Sequence, residues 1–236
     1  NISIIKKFKS LKKAIIIRKK NYGLANNIID GVSQVLRKND ACIVLEDDLI
    51  LHSDCLKFIN FGLNKFKNDK SVGSISGYSY IHSENLNCSQ NWFKLYRHCS
   101  WSWGTWSSVW KKCSWDFSKF SEAKLNFISK QRKFAKAGND IPLLLNAHVN
   151  KLIDSWAVRF NYNCLKKGLY SISPKYSLVK NDGFGINATH TVNFFKRKKT
   201  TFNKLTNIDL NFLKKPILHK ELNKIIKFQH RENKKL

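Results

Sequence analysis

The strongest constraint on the fold is an alternation of short β-branched runs and helix-spaced apolar stripes between residues 14 and 77. Ala14-Ile15-Ile16-Ile17 reads as a buried strand. Leu24, Ile28, Ile29, Val32, Val35 and Leu36 recur at helical spacing over 24–36. Ala41-Cys42-Ile43-Val44-Leu45 reads as a second buried strand. Ser53 or Asp54 then precedes a helix whose stripe is Leu56, Ile59, Leu63 and Phe66. Ser71–Gly77 is a third strand ending at a glycine. A β-α-β-α-β order of this kind predicts an α/β fold with a mostly parallel sheet flanked by helices and joined by right-handed crossovers.

Beyond Gly77 the pattern is less regular. Residues 78–100 read as loop and strand. Residues 101–115 hold five of the seven tryptophans, and Trp103, Trp106 and Trp110 fall at helical spacing. Helices are predicted over 139–152 and 155–167, and strand with loop over 169–190. Two regions result: a domain over 1–190 and a basic tail over 191–236. The tail's clearest element is an amphipathic helix from Pro216, with Leu218, Leu222, Ile225 and Ile226 on one face and Lys220, Lys224 and Lys227 on the other.

The most informative stretch is Glu46-Asp47-Asp48, three carboxylates at the carboxyl end of a buried strand. Ligands of open α/β sheets bind at strand carboxyl ends. Like charges side by side need an offsetting partner, and adjacent carboxylates suit a hard divalent cation such as Mg²⁺ or Mn²⁺. A solvated acidic turn capping the next helix is the competing reading. Asp154 has two readings as well, a general base or the cap of the helix over 155–167. Asn21 suits a helix cap and Gly23 a tight turn. Arg159 suits pairing with an acid inside the fold. The tryptophans suit core packing, with one or two left to stack on a sugar face.

Val44-Leu45-Glu46-Asp47-Asp48 resembles the acidic motif of GT-A glycosyltransferases, in the Glu-Asp-Asp form of the Golgi N-acetylglucosaminyltransferase I type and of bacterial enzymes of surface-polysaccharide synthesis. Four further segments resemble that family in the same order: Asn21-Tyr22-Gly23-Leu24, the block from Ser100 to Trp106, Asp154-Ser155-Trp156 through Arg159, and the loop from Pro174 to His190. The resemblance spans about 20–190. It implies a nucleotide-diphospho-sugar transferase fold, Rossmann-like, and a metal-dependent, inverting transfer of a hexosyl or N-acetylhexosaminyl group. The donor implied is a nucleotide sugar, a UDP-sugar above all, and the acceptor a glycan or a lipid-linked saccharide. Carried over residue by residue, Asp48 would bind Mn²⁺ or Mg²⁺, assisted by His190. Glu46, Asp47, Asn21 and Gly23 would contact the donor, and Trp103 and Trp106 the acceptor. Asp154 would be the base, with one departure: the Golgi enzyme uses the acid nearest its tryptophan, and Ser155 stands there.

Composition sharpens the alternatives. The net charge is +27, from 43 Lys and Arg against 16 Asp and Glu. Residues 1–20 and 191–236 carry most of that excess, which argues against a basic groove through the fold and leaves basic ends suited to an anionic membrane. An anionic-surface or nucleic-acid binder using the basic ends is the rival class, but no nucleic-acid motif is present, so no nucleic-acid partner is expected. No Met occurs, the first residue is Asn, and only one strand and one helix precede the acidic strand. The expectation is therefore a truncated chain lacking the first βα unit, either part of an active enzyme or a non-catalytic remnant. Six cysteines without a Cys-x-x-Cys pair suit a reducing cytoplasm, with peripheral attachment to the cytoplasmic face of the membrane.

Overall fold

A computed structural model describes residues 7, 12–80, 91–130, 134, 136–138 and 140–182. The chain is mixed α/β. In order, its elements are α1 (Leu24–Leu36), β1 (Ala41–Val44), β2 (Leu49–Leu51), α2 (Cys55–Lys65), β3 (Val72–Ser76), β4 (Trp92–Leu95) and β5 (Trp103–Trp106). There follow α3 (Ser107–Trp110), α4 (Glu122–Lys130), α5 (Ile141–Val149), α6 (Trp156–Lys166), β6 (Tyr170–Pro174) and β7 (Val179–Asn181). The helices at 24–36, after Asp54, near 141–149 and at 156–166 fall where their apolar stripes put them.

The sheet corrects the sequence expectation. Its order is β1-β5-β3-β6-β4. Of these neighbouring pairs only β3 and β6 are parallel; β1 with β5, β3 with β5, and β4 with β6 are antiparallel. A mostly antiparallel sheet stands where a mostly parallel one was expected. The cause is β5, which returns between β1 and β3. Both flanking strands run opposite to β5, so β1, β3 and β6 still share one direction, but the first two are not neighbours.

A second correction concerns Ala14–Ile17. These residues form no strand, and Ile15, Ile16 and Ile17 are exposed at 39%, 55% and 70%. β-Branched composition favours a strand only where a neighbour supplies the ladder and the cover, and β1 has β5 alone as its partner among the described strands.

Trp103 and Trp106 lie on a strand, not on a helix. On a strand, residues three apart point to opposite faces. Trp103 therefore enters the layer beneath α1 and α6, stacked on Trp156 at 4.7 Å and Trp110 at 5.9 Å. Trp106 enters the layer beneath α2, with Phe58, Ile59, Leu63 and Phe66. Gly104 shares that second face, and a Cβ there would sit 2.9 Å from Leu63 Cδ1. A third cluster joins α4, α5 and α6 through Leu125, Ile128, Ile141, Leu145, Val158 and Tyr162.

Connections of four residues join α1 to β1 and three join α6 to β6. Each helix packs back along the sheet, so it runs opposite to the strand it feeds. The amino ends of α1 and α6 therefore lie at the carboxyl edge of β1, β3 and β6.

Candidate active site

The acidic segment leaves β1 at this carboxyl edge. It then turns into β2, which pairs antiparallel with β7, Leu49 opposite Asn181. Asp182 N–H donates to Asp48 O at 2.8 Å, and His52 N–H to Leu178 O at 2.9 Å. Leu178 N–H donates in turn to Gly77 O at 2.8 Å, tying the small sheet to the end of β3.

Within this frame Asp48 Oδ2 accepts from Asn181 Nδ2 at 3.1 Å. Its other oxygen, Oδ1, is buried and has no hydrogen-bond partner among the described residues. An orphaned carboxylate oxygen is costly, since burial removes water without replacing it. Glu46 reports the same environment. Burial, then the charges of Asp48 and Asp47, push its carboxyl up to about 7. Asp47 is exposed. Among the described residues no group of three or more His, Cys, Asp and Glu side chains forms a full set of metal ligands. Mg²⁺-like cations are commonly held by one or two carboxylates, with water and phosphate oxygens completing the shell. The orphan oxygen of Asp48 suits such a cation: positive charge here would satisfy it and would oppose the Asp48 and Asp47 charges that, after burial, raise Glu46.

Three other predicted residues meet at the amino end of α1. Asn21 Oδ1 accepts Gly23 N–H at 2.8 Å, closing a tight turn. Gly23 has φ 74° and ψ 160°, a region essentially restricted to glycine. A Cβ on it would sit 2.8 Å from Asp154 Oδ2. That same oxygen accepts Ala25 N–H at 3.0 Å. Asp154 thus caps α1, a helix 129 positions away in sequence, rather than its own. The cap of α6 is Ser155, whose Oγ accepts Val158 N–H at 3.3 Å. Arg159 holds the other oxygen of Asp154 from 3.4 Å and also donates to Trp115 O at 2.9 Å.

The Asp154 side chain stays 41% exposed. It borders an open hollow of about 280 Å³ with His148, Lys151, Leu152 and Ile153. A second hollow, of about 290 Å³, lies along Arg18, Lys20, Asn21, Gly23 and Asn27. Burial, then the charge of Arg159, lower the pKa of His148.

The remaining sequence picks fare differently. Trp103 has no exposed surface, and Trp106 is 7% exposed with its indole N–H donating to Leu63 O at 3.2 Å. Both are core residues on opposite faces of the sheet, and neither offers a ring to an acceptor. His190 and the tail over 191–236 lie outside the described residues, as does the segment 81–90. Sequence reasoning missed Asn181, His148 and the cross-chain role of Asp154. Asn181 lies inside the Pro174–His190 segment, but nothing in its type or spacing marked it as the partner of Asp48.

Among the described residues no helix is long and apolar enough to cross a membrane. No protein-family model matches the chain, and no curated protein matches it either.

Proposed function

We propose that the chain carries the acidic site of a metal-dependent glycosyltransferase, moving a sugar from a nucleotide-diphosphate donor to a glycan or lipid-linked hydroxyl with inversion. The observation that carries the reading is the orphaned Asp48 Oδ1 beside the raised Glu46 carboxyl at a strand's carboxyl end. Asp48 would hold Mn²⁺ or Mg²⁺, which when bound neutralises charge on the donor diphosphate, and Glu46 would contact the donor. Asp47, exposed next to them, is available to the donor's hydroxyls.

Asp154 is the base in this reading. Its two oxygens are aimed by Ala25 N–H and Arg159, yet a carboxylate accepts about four hydrogen bonds and the side chain is partly open. It takes the proton of the acceptor hydroxyl as that oxygen bonds to the anomeric carbon. The anomeric carbon–oxygen bond breaks on the opposite side, and its electron pair leaves with the nucleoside diphosphate. Asn21 and Gly23 support the site by shaping the turn on which Asp154 rests.

Calorimetry of UDP-sugars with Mn²⁺ tests the proposal. Metal-dependent binding that is lost in Asp48→Asn is the expected result. Equal binding by the wild type and Asp48→Asn removes the metal role.

A further inference from the structure

A partly buried aromatic ring, Trp101, packs in a cluster with Leu49 and Leu51 of β2, the strand that follows the acidic segment. In the β1–β5 ladder Val44 lies opposite Trp103. Beyond this last pair β1 runs into the acidic segment and β5 begins just after Trp101, and Trp101 packs in one cluster with Leu49, the residue that follows Asp48. Between Trp101 and the strand sits Ser102, fully buried with φ 51°. A non-glycine residue at positive φ persists only where its surroundings fix it. Here the Ser102 carbonyl accepts Gly77 N–H at 2.7 Å, and its Oγ lies 3.2 Å from Cys55 Sγ. The bend takes Trp101 out of the strand's alternation and away from the core that holds Trp103.

Trp101 instead joins Tyr78 and Tyr80. Tyr78 is buried at 4% exposure and meets Trp101 edge-on at 4.7 Å and Tyr80 edge-on at 5.0 Å. Tyr80 Oη donates to His98 O at 3.3 Å. Leu49, Leu51 and Val179 pack against this cluster from β2 and β7. Asp48 immediately precedes Leu49, and Asn181 closes β7, so the rings and the acidic site share one small sheet. Trp101 is partly buried and held edge-on by Tyr78.

We propose that Trp101 forms a stacking platform for a pyranose ring next to Glu46 and Asp48; Tyr80, whose ring has the Arg97 guanidinium over it at 5.5 Å, helps to fix the cluster and does not offer a face. The inference rests on the glycosyltransferase reading and adds to it the place where a sugar ring lies. A pyranose offers a face of C–H groups to an aromatic ring and a rim of hydroxyls to carboxylates, and this corner provides both. In a nucleotide sugar the pyranose is bonded to the diphosphate, whereas the base lies beyond the ribose. A ring adjoining the acids therefore suits the sugar better than the base. The sugar is either the donor's or the acceptor's.

Fluorine NMR of the full chain labelled with 5-fluorotryptophan separates these outcomes. The Trp101 signal is identified by its loss in Trp101→Phe. With Mg²⁺ present, UDP is compared with UDP-glucose and UDP-N-acetylglucosamine, and methyl β-pyranosides are then added to the UDP-bound protein. A Trp101 shift with the UDP-sugars beyond that with UDP supports a donor platform. A shift with the pyranosides supports an acceptor platform. In either case Trp101→Ala lowers affinity for the responding sugar roughly three- to tenfold, leaving UDP affinity unchanged. If UDP alone moves the Trp101 signal as far as the UDP-sugars do and no pyranoside moves it, the ring stacks on the base and the proposal is overturned. It is also overturned if UDP moves other tryptophan signals while Trp101 responds to no ligand. If UDP moves no signal at all, the glycosyltransferase reading itself fails, and the platform falls with it.

Discussion

Gly23→Ala should destabilise the fold far more than a single methyl group suggests. Two effects add at this position. The backbone at φ 74° and ψ 160° lies in a region that costs an L-residue about 1–3 kcal/mol. The new Cβ would also fall 2.8 Å from Asp154 Oδ2, so that carboxylate must move. Moving it breaks the cap on Ala25 N–H, and losing a helix cap costs about 0.5–2 kcal/mol. Together the loss is about 1.5–5 kcal/mol, or roughly 3–20 °C in Tm for a chain of this size. Urea denaturation followed by circular dichroism measures it. Gly31→Ala is the control, since it lies in the same helix with nothing within 4 Å of a Cβ. It should stabilise by about 0.5–1 kcal/mol, the helix preference of alanine over glycine. Combining Gly23→Ala with Asp154→Ala removes the collision but not the backbone strain, so the double variant should lose less than the sum of the singles. A Gly23→Ala stability within 0.5 kcal/mol of wild type, or strict additivity with Asp154→Ala, refutes the account of this junction.

Ser155→Ala should cost about 1 kcal/mol by removing the α6 cap, and hydrogen exchange should rise over 156–159, whereas Asp154→Ala should raise exchange over 24–27. The Glu46 carboxyl has an ordinary value of 4.5 and a folded value of about 7. The folded state therefore retains a proton that the unfolded chain has lost, so this group's contribution is full below pH 4.5, falls as pH rises, and is gone above about pH 7. Denaturation midpoints against pH should show that slope in chelator, and Asp48→Asn should flatten it by removing the second cause of the shift. Arg97 pairs with both oxygens of Asp140 at 2.7 and 2.9 Å, with only 11% and 15% of the two side chains exposed. Asp140→Asn should cost about 3–5 kcal/mol in urea denaturation by stranding the guanidinium, and Arg97→Met combined with Asp140→Leu should recover part of that loss.

The helices were legible because burial of one face imposes a spacing that chance rarely produces. Leu24–Leu36 begins and ends where its stripe does, and Asp54 stands at the start of its helix, although its side chain makes no capping hydrogen bond. The strands were legible only in part. Trp103 and Trp106 satisfy a helical spacing of three, but the same spacing places residues on opposite faces of a strand. Only a sheet covered on both sides wants a large apolar residue on each face, so the sequence pattern alone could not choose. Without β5 between β1 and β3, the reading defaulted to parallel neighbours. Ala14–Ile17 has strand composition, but a ladder needs a partner, and composition does not say whether one is present.

The acidic triplet was visible because three carboxylates at the end of an apolar run have no packing rationale. What stabilises or strains them was not visible, because it arrives from far along the chain. Asn181 reaches Asp48 across 133 positions, and Asp154 reaches Ala25 across 129. In both cases the sheet does the gathering. Helices that feed β1 and β6 must start at the edge where those strands end, so the caps of α1 and α6 and the acids after β1 occupy one rim whatever lies between them in sequence. This arrangement also explains why Asp154 and Ser155 divide their work. Adjacent in the chain, they face two helix starts that lie side by side, and each oxygen satisfies the N–H group nearest to it. A serine in the second position leaves the first carboxylate aimed at α1 and bordering the open hollow. Asp154 is therefore held in place by the helix it caps and by Arg159, and Ser155 is left to cap its own.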